Sequence, residues 1–138
     1  MQEGFAPQLE RPTSFETDPP VHYQIDCEKK RVSAKFGIKV TINDIVGYTH
    51  LLRSDPRFQA DFSELVDLRE VEILDLQAED FMTLADDADP FSPGARRAFV
   101  VKNSVQEHAI RMHRVLRTQA NIRTFQSLKE AEAWISGK

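Results

Sequence analysis

Four consecutive apolar residues, AFVV at Ala98–Val101, stand between a turn-rich loop, DPFSPGARR, and a segment of helical period. A continuous apolar run this short fits an inner strand covered on both faces, as in a parallel sheet flanked by helices. A parallel strand is reached by a crossover, so the rest of the chain has to supply further strands with helices between them.

It does so in order. Tyr23, Ile25 and Cys27 alternate with polar residues, and after a polar turn Val32, Ala34, Phe36, Ile38 and Val40 alternate with Arg31, Ser33, Lys35 and Lys39. Period two of this kind marks strands with one face on the core, here an antiparallel hairpin, and Gly37 marks a bulge or bend. Thr41 and Asp44 form a capping-box pattern opening a helix whose Ile42, Ile45, Val46, Thr49 and Leu52 share a face. That helix is expected to end near Ser54, since Pro56 disfavours helical geometry in Asp55. DPRFQADF connects, pinned by Phe58 and Phe62, to a strand at Leu65–Leu68. A helix is expected from Leu76, burying Ala78, Phe81, Met82 and Ala85, with Asp75, Glu79 and Asp80 at the positive end of its dipole.

Beyond AFVV, Ser104 is placed to cap a helix with Val105, Ala109, Met112 and Leu116 as its buried stripe and Glu107, Arg111, Arg114 and Thr118 facing water. Ile122–Phe125 reads as the last strand, and SLKE at Ser127–Glu130 as a capping box for a terminal helix burying Leu128, Ala131, Trp134 and Ile135. The expected fold is α/β: a mixed, largely parallel five-stranded sheet packed with about four helices, in the order β-β-α-β-α-β-α-β-α. Residues 1–20 hold four of the seven prolines and read as an extended N-terminal tail able to dock through Phe5 or Phe15, and 21–138 as a single domain.

Charge and residue chemistry narrow the function. The net charge of −4 argues against nucleic acid as a partner. It averages two segments: Asp55–Asp89 carries twelve acids and two bases, a balance of −10, and Ala95–Glu130 carries eight bases and two acids, a balance of +6. Separate faces would steer the protein onto charged partners, whereas interleaved segments would cancel. The longest apolar runs are too short to cross a membrane and the start lacks a signal-peptide plan, so a cytoplasmic protein without membrane insertion is expected. Cys27, the only cysteine, has no disulfide partner and reads as a half-buried apolar residue at a strand end.

Asp86, Asp87 and Asp89 lack the glycine and distal glutamate of a calcium loop and read as a solvated helix end, so no metal is expected. His108 and His113 lie about 140° apart around a helix and read as packing residues flanking the apolar stripe. Phosphate-cradling glycine loops, nucleophile elbows and metalloprotease motifs are missing. The chain therefore reads as non-catalytic and without a cofactor.

SDPRFQADFSELVDLREVEILDL, RRAFVV and IRTFQSLKEAEAWI together resemble the small bacterial SpoIIAA-like proteins, also described as STAS/SEC14-like, over about Tyr23–Ser136. The resemblance implies the fold shared by anti-sigma-factor antagonists and lipid-binding SEC14 (CRAL-TRIO) domains. The antagonists carry D-L-S-G-V-x-x-I-D-S-S-G, whose second DSSG serine, at a helix N-terminus, a partner kinase phosphorylates. Asp67, Leu68, Val71, Leu74 and Asp75 match that frame, but Leu76 and Gln77 replace the serines and Ala78 the glycine. The implied function is a binding or regulatory module that has lost the switch. It would meet a protein partner or its own copy through Asp75, Leu76, Gln77 and Glu79, together with Arg96 and Arg97 of the following loop. The alternative is a carrier of a small apolar or lipid-like ligand, which requires an enclosed cavity on the order of several hundred Å³.

Overall fold

The computed structural model describes residues 21–137, so the expected tail, with Phe5 and Phe15, lies outside the described residues. The first two strands, β1 (Val21–Asp26) and β2 (Arg31–Phe36), pair antiparallel around the turn at residues 27–30. Cys27 lies in that turn and is exposed, not half-buried: the strand ends at Asp26, whose Oδ1 accepts from the Lys29 N–H. The long alternating segment is two strands. The chain bends at Gly37 and Ile38, leaving Ile38 65% exposed, and resumes as β3 (Lys39–Thr41) with Val40 buried.

Thr41 and Asp44 close the expected capping box at the start of α1 (Ile42–Ser54), which stops where Pro56 requires. Its buried face is turned from the expected one: Tyr48, Thr49 and Leu52 are buried and Val46 is exposed. Phe58 and Phe62 pin the connection, Phe58 lying edge-on to Phe91 with centroids 5.2 Å apart. Then come β4 (Ser63–Asp67) and a short β5 (Ile73–Asp75), which pairs parallel with β3 as a separate two-stranded sheet that the apolar pattern did not announce. Helix α2 (Ala78–Thr83) is shorter than expected and runs into a π turn at Leu84–Ala88. Of the expected stripe only Ala85 is fully buried, beside Leu84, while Phe81 is half-buried and Ala78 and Met82 are exposed. The remaining elements are β6 (Arg97–Val100), α3 (Ser104–Arg117), β7 (Ile122–Phe125) and α4 (Leu128–Ile135). Asn103 caps α3 through its side chain, so Ser104 is the first helical residue rather than the cap.

The main sheet has the order β1-β2-β4-β6-β7, parallel except for the first pair. Because β2, β4, β6 and β7 are added in one direction, right-handed crossovers place α1, α2 and α3 on the same face. The larger core lies there, with Val32, Leu52, Val66, Phe91 and Phe99. The opposite parity of the same strands, Leu65, Ala98 and Val100, packs against Ala131 and Ile135 of α4. Among the described residues no helix is long and apolar enough to cross a membrane.

Candidate functional site

The acidic and basic segments meet inside the domain. In β4 and β6 the strand period puts Glu64 on the same side as Val66, and Arg97 on the same side as Phe99, so two charged side chains enter the larger core on adjacent strands. Arg97 Nε donates to Glu64 Oε1 at 2.9 Å and Nη1 donates to Asp89 Oδ2. Tyr48 Oη donates to Glu64 Oε2 at 2.7 Å. Asp89 stands where the π turn returns the chain to the sheet. Its carboxylate also accepts from His113 Nε2 at 2.7 Å and from the Phe91 N–H at 3.0 Å, with Arg117 Nε 3.6 Å away. The Arg97 guanidinium stacks 4.5 Å from the Phe91 ring centroid. Gln119 completes the cluster by accepting from Arg97 Nη1 and donating to the Ser92 and Ala95 carbonyls.

Burial pushes the Asp89 carboxyl up, but the hydrogen bond from His113, the Arg97 charge and hydrogen bond, and the Phe91 N–H outweigh it and hold the group well below the usual carboxylate range. Asp89 is thus ionised and accepts only, which makes His113 Nε2 the donor. Burial, followed by the negative charge of Glu64, pushes the Tyr48 phenol well above its ordinary value. This corrects two sequence expectations. Asp89 is a buried ion-pair partner and not part of a solvated helix end. His113 is part of the buried network while His108 is exposed, so the two do not share a packing role.

Next to this cluster, between the sheet and α2, lies a cavity of about 100 Å³ that is partly open to solvent. Phe36, Val40, Leu74, Leu76, Phe81 and Phe99 give it apolar walls, and Glu64, Asp89, Arg97 and His113 reach its lining. Among the described residues His113 Nδ1 is buried without a hydrogen-bond partner. The two hydroxyls of the lining are already donors elsewhere, Tyr48 to Glu64 and Thr49 to the Val46 carbonyl at 2.9 Å. Neither hydrogen-bonds to His113. The cover is light: α2 has six residues, none fully buried, and its first turn is tied by the Gln77 N–H donating to Asp80 Oδ2 at 2.7 Å.

The expected contact residues divide. Leu76 is half-buried and lines the cavity, while Asp75, Gln77 and Glu79 around it are exposed. Arg97 is buried in its two ion pairs and is not available to a partner. Arg96 belongs to the other end of the strands. It is exposed, donates to the Trp134 carbonyl at 2.6 Å and lies over that indole ring. Tyr48 and Glu64 were missed because each is unremarkable alone, and Asp89 and His113 carry no local sign of the role they share in the folded chain. The available signal was two opposite charges at inward parity on neighbouring strands.

No family model matches the chain, and no curated protein matches it. Among solved structures it is similar to an uncharacterized protein from the DUF3478 family with a SpoIIAA-like fold, from Shewanella loihica PV-4. The TM-score is 0.58 at 22% identity, covering 83% of this chain and 93% of that one. The mixed sheet, its helices and this likeness agree with the architecture expected from the residues: the chain has a SpoIIAA-like fold.

Proposed function

We propose that this protein is a non-catalytic binding or regulatory module that captures a protein partner at the mouth of the α2 cavity. An apolar side chain of the partner enters between Leu76, Phe81 and the sheet, and the exposed Asp75, Gln77 and Glu79 select among partners by charge. The observation that carries this reading is the partly open, largely apolar cavity of about 100 Å³ lined by Leu76. A closed cavity of about 150 Å³ holds one benzene. The space therefore suits one buried anchor, the unit on which interface energy concentrates, and falls short of the several hundred Å³ or so that a lipid-sized ligand needs. The engagement of Tyr48 and Thr49 as donors to other groups supports a binding role over a nucleophilic one.

Replacing Asp75 and Gln77 together by lysine is expected to leave the circular dichroism spectrum and melting unchanged while removing partner capture from a lysate of the source cells. Capture equal to that of the wild type would place the contact elsewhere. With no hydroxyl between Asp75 and Asp80, incubation with cell extract and labelled ATP is expected to leave that segment unlabelled.

A further inference from the structure

Of the four residues that the sequence directs to the core of α3, Ala109 is buried as expected, while Val105, Met112 and Leu116 face solvent. Val105 is 66% exposed, Val115 65%, Met112 39% and Leu116 36%, while the core-facing side of the helix is made by Gln106, Ala109, Ile110 and His113. Val105, His108, Met112 and Val115, all exposed, are spaced three, four and three residues apart, the repeat of a seam that packs against another helix. The helix thus has two packing faces, one occupied by its own domain and one that is uncovered among the described residues. A cluster of this kind, on the order of a few hundred Å², matches the largest apolar patch of a typical monomer, which is often a functional surface.

We propose that the occupant is a second copy of this chain, the two α3 helices packing side by side in parallel about a twofold axis. The charges along the two edges of the seam argue for the copy and for its direction. Toward β7 the edge is basic on balance, with exposed Arg111, Arg114 and Arg123 against one acid, Glu107, which pairs with Arg111 at 3.7 Å. On the other flank α3 packs against α2 and the π turn, whose exposed acids are Glu79 and Asp86. In a parallel twofold pair the basic edge of each copy lies over the acidic edge of the other, so one surface complements itself. An antiparallel pair would set arginines against arginines. In the parallel pair each seam residue meets its own mate, Val105 with Val105 and Met112 with Met112.

The patch is smaller than the roughly 800 Å² per partner of a stable interface, so a reversible dimer is expected, with a dissociation constant on the order of 10 µM. Sedimentation velocity of the full chain from about 1 to 300 µM should show the weight-average coefficient rising from monomer toward dimer across that range. The Val105→Glu/Val115→Glu variant, with an unchanged circular dichroism spectrum, should remain monomeric throughout, a loss of at least about tenfold in affinity. A wild type that stays monomeric, or a double variant that associates as the wild type does, overturns the proposal. The direction is read from Val105→Cys in a Cys27→Ala background, which should form an intermolecular disulfide on mild oxidation. A dimer that forms without this cross-link overturns the parallel arrangement.

Discussion

Replacing Arg97 by alanine is expected to lower the free energy of unfolding by about 3 to 5 kcal/mol, the cost of leaving buried carboxylates without their counter-charge. Glu64 and Asp89 each accept a hydrogen bond from this one guanidinium, and the side chains of all three are at least 95% buried. Urea denaturation measures the loss. Lysine carries the charge but not the fork that spans two carboxylates, so Arg97→Lys should fall between alanine and the wild type. The pH dependence follows from Asp89. Its folded value is depressed, so its contribution is complete above the unfolded value of about 3.9 and is lost as the pH falls through the folded value. Asp89→Asn should therefore be less stable near neutrality and show a flatter loss of stability below about pH 4.

Replacing Gln106 by alanine is expected to cost about 2 to 4 kcal/mol, from buried backbone groups left without partners. The Gln106 side chain donates to the Leu68 and Val71 carbonyls at 3.0 and 3.1 Å and accepts from the Lys102 N–H at 3.0 Å. It fastens the first turn of α3 to the loop that leads from β4 into β5 and α2. Gln106→Leu keeps the volume but not the bonds, and should recover less than half of the loss. A full recovery would mean that packing, and not hydrogen bonding, holds the loop. The same loop carries Leu68 and Val71 of the antagonist frame and leads through β5 to Leu76 at the cavity.

The fold was legible wherever apolar period and chain punctuation agreed. Val32, Ala34 and Phe36 on one face, the Thr41–Asp44 box, Pro56, AFVV and the Ser127 cap each carry their own local signal, and each stands where the pattern put it. Helix faces were less legible, because an apolar stripe says only that a face avoids water. On α3 the exposed face has the cleaner apolar repeat, while the buried face uses Gln106 and His113, polar side chains that hydrogen-bond within the core through Gln106 Nε2 and His113 Nε2. The site was half legible. Family resemblance pointed to Asp75–Glu79, and Leu76 does line the cavity. The charged cluster behind it joins α1, β4, the π turn, β6 and α3, a juxtaposition that only the folded chain creates.

If the cavity receives an anchor side chain from a protein partner, filling it from Ala109 should abolish capture. Ala109 lines the cavity from α3 and is 8% exposed. Ala109→Met would fill the space while leaving Asp75, Gln77 and every residue of the charged cluster unsubstituted. The measurement is photocross-linking in the source cells from a benzophenone side chain at position 77, with and without Ala109→Met. The expected result is a discrete cross-linked protein that disappears from the Ala109→Met variant while its melting temperature stays within a few degrees of the wild type. The same cross-link, at undiminished yield, on a folded Ala109→Met protein would contradict the account.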